Sequence, residues 1–399
     1  MKKTVKDIDI KNKKVIMRVD FNVPLDKETN SKITDTTRVD AAMPTIEYIL
    51  SQGASLILMS HLGRPKGEAN PKYSLKPVYD YLKTKLPNNK VIFANDCIGE
   101  EVKKTAGSLN AGDVLLLENL RYHAEEEKND ANFSKQLADL ADVYVNDAFG
   151  TAHRAHASTV GIVAAKPSMP AVAGFLMEKE IKYLGDAVAE PKRPFVAIIG
   201  GAKVSSKISV LKNLLNKVDT LIVVGGMAYT FFKAKGYEIG TSLCEDDYIQ
   251  TAKEIMDKAK ELNKTLYLPI DNVVADKFDN DANKKIVDCN AIPSGWMGMD
   301  VGEKTLKEIE NILKSAKTIV WNGPLGVFEM SNFAKGTFET AKFIANSGAV
   351  SIIGGGDSVS AVNKSGVADK MTHISTGGGA SLEFLEGIEL PGIKVLQDK

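Results

Sequence analysis

Short apolar runs rich in branched and aromatic residues recur along the chain, most of them leading into a polar or glycine-rich turn: KVIMRVD, SLILMSH, KVIFA, DVLLLEN and DVYVND in the first half, then PFVAIIGG, TLIVVGG, TLYLP, TIVWNGP, VSIIGGG and MTHISTGGG. Strands that are apolar on both faces belong to parallel sheets covered by helices, whereas a sheet with one wet face alternates apolar and polar residues. Longer amphipathic stretches separate the runs. The pattern therefore predicts an α/β fold of two doubly wound, Rossmann-like parallel-sheet domains. With 399 residues the chain also exceeds the size at which one core stops growing.

Proline marks the boundary. KPSMP at 166–170 and EPKRP at 190–194 bracket a segment in which Met177, Ile181, Leu184 and Val188 recur at helical spacing. This predicts a connecting helix over 175–190 that serves as a hinge, between an N-terminal domain over 1–174 and a C-terminal domain over 191–379. An amphipathic segment over 380–399 follows.

An apolar content of 44%, a charged content of 26% and a net charge of zero describe an ordinary globular protein, neither a nucleic-acid binder nor a disordered tail. Any anion site must be local. Cys97, Cys244 and Cys289 are too scattered for a CxxC metal site or a disulfide framework, which fits a reducing compartment. The N-terminus MKKTVKDIDIKNKK lacks the apolar centre of a signal peptide, and no run reaches membrane-spanning length. Cytoplasmic residence, with no membrane or nucleic-acid partner, is the expectation.

All arginines, Arg18, Arg38, Arg64, Arg121, Arg154 and Arg193, lie in the first half of a chain that otherwise uses lysine. Arginine is preferred where a planar fork must grip a carboxylate or phosphate. Arg38, Arg64, Arg121 and Arg154 sit at or beyond strand ends, where ligands gather in α/β folds; Arg18, inside a strand, and Arg193, in the connector, read as structural. Asp20 and Asn22 of RVDFNVP offer acceptors and an amide at a strand end, or simply make the turn before Pro24. His61 in HLGRP is placed to donate to an anion. His153 and His156 have the spacing of two metal ligands, but no third ligand stands at matching spacing.

The second half ends its strands in glycine instead. There is no Gly-Lys dipeptide and no G-x-G-x-x-G, which excludes a Walker A loop and argues against a dinucleotide fold and hence a dehydrogenase. GGAKVSSK opens a predicted helix, with Gly200 and Gly201 followed by Lys203 and Lys207 near its positive end. IIGGGDS delivers Gly355, Gly356, Asp357 and Ser358 from a strand, with Asp357 either a Mg²⁺ ligand or a helix cap. TGGGAS exposes the amides around Gly378 and Gly379. WNGPLGVFE supplies an apolar slot through Pro324 and Val327, with Glu329 an acceptor for ribose hydroxyls or a solvated charge. The first half thus reads as a site for a small anion, the second as a nucleotide site.

RVDFNVP, DTTRV, SHLGRP, LENLRYH, GTAHRAHAS, GGAKVSSK, WNGPLGVFE, IIGGGDS and HISTGGGASLE, in this order over nearly the whole length, resemble the phosphoglycerate kinase family. The resemblance implies an enzyme: reversible, Mg²⁺-dependent phosphoryl transfer from 1,3-bisphosphoglycerate to ADP, giving 3-phosphoglycerate and ATP, by a two-lobed monomer that closes by hinge bending. It assigns phosphoglycerate binding to Asp20, Phe21, Asn22, Arg38, His61, Leu62, Gly63, Arg64, Arg121 and Arg154. It assigns nucleotide contacts to Gly201, Lys203, Lys207, Gly226, Gly298, Pro324, Glu329 and Gly355, Gly356, Asp357 and Ser358, with Asp357 toward the metal. Arg38, Lys203 and the amides of Gly378 and Gly379 would surround the moving phosphoryl group. The resemblance also implies a C-terminal segment that returns to the first domain and a hinge contact between Glu180 and His373, two residues that read on their own as surface polar groups. A non-enzymatic, two-lobed nucleotide-responsive binding protein is the rival reading; it gives no reason for Arg38 and Lys203 to serve one phosphoryl group.

Overall fold

The computed structural model describes residues 1–399, the side chains of 186–188 aside. Val188 of the connecting-helix pattern therefore lies outside the described side chains. Two compact units divide the chain, Met1–Lys182 with Glu389–Lys399, and Tyr183–Ile388.

The first unit holds strands β1 (Lys14–Arg18), β2 (Ser55–Met59), β3 (Val91–Phe93), β4 (Val114–Leu116), β5 (Val143–Asn146) and β6 (Ala171–Ala173). They form one parallel sheet in the order β3-β4-β2-β1-β5-β6. Every residue of β2, β4 and β5 is buried, which accounts for their unbroken apolar sequences. Val15 and Met17 of β1 pack in the same core as Ile46 and Ile49 of the Thr37–Ser51 helix. The tail closes on this unit: Lys2 bridges Asp398, and Asn146 Nδ2 donates to the Gly392 carbonyl at 3.1 Å.

The second unit holds β7 (Phe195–Ile199), β8 (Thr220–Val223), β9 (Thr265–Tyr267), β10 (Asp271–Ala275), β11 (Lys284–Asp288), β12 (Met297–Val301), β13 (Thr318–Asn322), β14 (Val350–Gly354) and β15 (His373–Ile374). Its main sheet is parallel, ordered β15-β14-β13-β7-β8-β9. Strand order reverses between β7 and β13, so the loops leaving these two strands border the crevice in which ligands bind in such sheets.

Four strands escape the sequence pattern. β6 is short and lies against the proline cluster; β10, β11 and β12 make a separate antiparallel sheet, ordered β11-β10-β12. β11 is largely exposed and carries lysines, so it offers no apolar run to read. The connecting helix spans Phe175–Ala189. Met177 and Leu184 are buried in it, and so is Glu180; His373 on β15 is buried as well, so neither polar residue is the surface group its sequence suggests. The helix expected to open within GGAKVSSK begins later, at Ile208, leaving Lys203 and Lys207 in the loop before it.

Candidate active site

In the first unit, three strand exits are laced together by two asparagines. The chain leaves β1 through Asp20, Phe21 and Asn22; buried Phe21 anchors the exit, its amide donating to Ser60 Oγ at 2.8 Å. Asn22 Oδ1 accepts the Gly63 amide at 2.8 Å, tying the β1 exit to the β2 exit. Asn119, at the β4 exit, donates to the Leu62 carbonyl at 2.7 Å and accepts the Arg121 amide at 3.0 Å. Arg121 in turn donates from Nη1 to the Gly63 carbonyl at 3.0 Å. Arg38, in the first turn of the Thr37–Ser51 helix, reaches the Asn22 carbonyl at 2.9 Å and Asp20 Oδ1 at 3.3 Å. Arg64 and Arg154 are exposed on the loops after β2 and β5.

Arg18, which reads as structural, is fully buried beneath this cluster. Its Nε donates to Ser158 Oγ at 2.8 Å, Nη1 donates to the Val19 carbonyl, and Nη2 lies 3.2 Å from His61 Nδ1. A guanidinium only donates, so His61 Nδ1 is the acceptor and the imidazole carries its proton on Nε2. Burial, then Arg18, Arg121 and Arg38, holds the His61 pKa well below 6.5, and a neutral donor is what remains. His156 is pushed down to about 4 by burial and by Arg18, Arg121 and Arg154. Burial also lowers the Arg121 pKa, with Arg18 and Arg64 adding to it. Five arginines thus act on one small region. Buried Glu126 answers part of that charge, accepting from Ser158 Oγ at 2.6 Å and from the Ser158 amide at 3.0 Å. The region is suited to a compact anion bearing carboxylate or phosphate oxygens.

In the second unit, a cleft of about 550 Å³ is walled by Gly201, Gly226, Gly298, Pro324, Glu329 and Asp357, brought from segments far apart in the sequence. The β7 and β13 exits interlock: the Gly200 amide donates to the Asn322 carbonyl at 2.8 Å, and a Cβ on Gly200 would meet the Pro324 carbonyl oxygen at 2.2 Å. Gly298 on β12 lies against buried Tyr229, where a Cβ would sit 1.7 Å from the phenol oxygen. Glycine is obligatory there. Lys207 Nζ donates to Asn322 Oδ1 at 2.6 Å, and burial lowers its pKa while Asp357 and Glu386 oppose the shift. Lys203 is exposed.

Gly355 precedes the Gly356–Lys364 helix, and exposed Asp357 sits in that helix's first turn. Ser358 is buried, and its hydroxyl accepts the Gly323 amide at 2.6 Å. Its side chain therefore shapes the β13 exit rather than facing the cleft. Gly378, with a positive φ of 51°, caps the Gly379–Leu385 helix, and nothing lies within 4 Å of where a Cβ on it would stand. A single exposed carboxylate beside glycine amides fits Mg²⁺, which takes few protein ligands and draws the others from water and phosphate. His153 and His156 belong to no cluster of potential metal ligands among the described residues.

Several contributors are silent in the sequence. Arg18 and Asn119 are buried polar groups whose role depends on their partners. Leu243 and Phe278 line the cleft although 60% and 63% exposed, and an exposed apolar side chain at a cleft mouth is visible only once the fold is known.

The phosphoglycerate kinase family model matches residues 5–388. A phosphoglycerate kinase of Clostridium botulinum is 59% identical over 400 residues, covering 100% of this chain and 99% of the relative. A cytosolic phosphoglycerate kinase 3 of Arabidopsis thaliana is 58% identical, covering 99% and 98%. Among solved structures, phosphoglycerate kinase from Coxiella burnetii superposes with a TM-score of 0.90 at 41% identity, covering 99% of this chain and 98% of that one. The enzyme from Pyrococcus horikoshii gives 0.83 at 34% with the same coverage. With full-length likeness at this level, and an arginine pocket and a glycine-walled cleft each built at sheet ends, the chain belongs to the phosphoglycerate kinase family.

Proposed function

We propose that the arginine pocket of the first unit holds 3-phosphoglycerate or 1,3-bisphosphoglycerate and the cleft of the second holds ADP or ATP. The observation that carries this reading is the chemical division between the units: five arginines act on one region in the first, and glycine loops wall a cleft in the second. Phosphoryl transfer needs placement and charge neutralisation more than covalent help from the protein. The attacking oxygen is ionised in both directions, a carboxylate in one and an ADP phosphate in the other, so no strong general base is required. Arg64, Arg121 and Arg154 would grip the anion, and His61 would donate from Nε2. Arg38 would turn its fork from Asn22 and Asp20 to the moving phosphoryl group, with Lys203 and the amides of Gly378 and Gly379 completing the set. Asp357 would hold Mg²⁺, which supplies neutralisation of the nucleotide's phosphate charge.

Transfer requires the two ligands to meet, so the reading includes hinge closure, and the Phe175–Ala189 helix, which crosses the division between the units, is the proposed hinge. It includes a monomeric enzyme of the cytoplasm. Support for the compartment comes from three free cysteines, which suit a reducing environment; no helix among the described residues is long and apolar enough to cross a membrane. Calorimetry tests the division: Arg121→Ala should weaken 3-phosphoglycerate binding and leave ADP binding unchanged. An equal loss for both ligands would refute it.

A further inference from the structure

At the carboxyl ends of β3 and β4, outside both ligand regions, three side chains of different chemistry converge. Asp96 Oδ1 lies 2.7 Å from His123 Nε2 and also accepts the Cys97 amide at 2.6 Å. The Cys97 sulfur completes the group, and its ligand atom, the Asp96 oxygen and the His123 nitrogen all lie within 4.8 Å of one another. Cys97 is fully buried, while His123 and Asp96 are 26% and 50% exposed, so the cluster is closed on the sulfur side and open to solvent on the other. The His123 ring is steadied against Phe133 at 5.4 Å between centroids.

We propose that Asp96, Cys97 and His123 form a binding site for a borderline-soft divalent cation such as Zn²⁺. One sulfur, one imidazole nitrogen and one carboxylate oxygen are the donors Zn²⁺ takes, and three protein ligands leave a fourth, tetrahedral position for water. The open face supplies that position. Mg²⁺ and Ca²⁺ prefer sites built of oxygen alone, so this site is distinct in kind from Asp357. Ligands of a tetrahedral zinc stand about 3.3 to 3.6 Å apart, given bonds of about 2.0 to 2.3 Å. On binding, the Asp96–His123 contact opens slightly, the sulfur closes in, and the thiol proton leaves to solvent as the metal–sulfur bond forms. The carboxylate and thiolate together balance the charge of the ion. His123 stands two residues beyond Arg121, so the site adjoins the arginine pocket without sharing a side chain with it.

Cobalt titration of the full-length, ligand-free protein tests this, since Co²⁺ replaces Zn²⁺ and reports its ligands optically. One equivalent should bind with a sulfur-to-cobalt charge-transfer band, and Zn²⁺ should bleach it. Cys97→Ser should remove the band, and His123→Gln, which deletes a direct ligand, should weaken binding by at least the roughly 10-fold that loss of an outer-shell partner already costs. Asp357→Asn should leave the titration unchanged. No saturable band in the folded wild-type protein, a band that survives Cys97→Ser, or an affinity unchanged by His123→Gln would each overturn the proposal.

Discussion

At the scale of single residues, the deciding quantity is how a side chain's charge is held before a ligand arrives. Arg38 is tethered by a carbonyl and one carboxylate oxygen, and lysine has the charge but not the fork. Arg38→Lys should lower kcat by about 10² to 10³ while ATP affinity by calorimetry stays near wild type; near-normal turnover would remove Arg38 from its proposed role. Gly298→Ala places a methyl group in the phenol of Tyr229, so nucleotide affinity should fall sharply, and pairing it with Tyr229→Phe should restore little because the ring carbons are also in the way. His61 is held neutral by burial and its arginine neighbours, so 3-phosphoglycerate affinity should not fall between pH 6 and pH 8 from loss of a proton on His61. Motifs such as RVDFNVP and SHLGRP were legible because short-range order carries them. Arg18 reads as structural and is buried as such, but an arginine inside a strand shows nothing of the histidine and serine that meet it.

At the scale of elements, the start of the connecting helix is held by a buried acid. Asp147, just beyond β5, accepts the Met177 amide at 3.0 Å, and a Cβ on Gly174 would lie 2.3 Å from the Asp147 carboxyl. Burial pushes the Asp147 pKa up to about 7, outweighing the amide bonds that pull it down. A carboxyl whose folded pKa lies above its unfolded value of 3.8 contributes stability that is full below pH 4 and lost as pH rises through 7. Asp147→Asn does not titrate. Relative to wild type, the variant should therefore gain about 2 to 3 kcal/mol in unfolding free energy between pH 5 and pH 8; a pH-independent difference in denaturant melts would show the acid to be ionised throughout. The parallel strands were legible as elements because each is buried on both faces. The β10–β12 sheet was not: β11 is largely exposed and carries lysines, while β10 and β12, though mostly buried, are broken by Asp271, Asn272, Gly298 and Asp300 and so offer no continuous apolar run.

At the scale of the whole molecule, the prediction is a closed state formed only with both ligands present. Solution scattering should show the radius of gyration fall when 3-phosphoglycerate and a nucleotide analogue are added together, and change little with either alone. Equal compaction by one ligand would argue against closure as the catalytic step. The α/β class, the run of parallel strands, the glycine endings of one half and the arginines of the other were determined by the sequence itself, because burial on both faces and tight turns leave local marks in composition. Only the tertiary structure decided which of these marks share a site. It placed Gly298 against Tyr229, put Arg18 behind His61, and gathered Asp96, Cys97 and His123 at neighbouring strand exits. Each of these meetings joins elements separated along the chain, neighbouring strand exits for Arg18 with His61 and for Asp96 with His123, a helix and a strand for Tyr229 with Gly298, and no short window of sequence contains both partners.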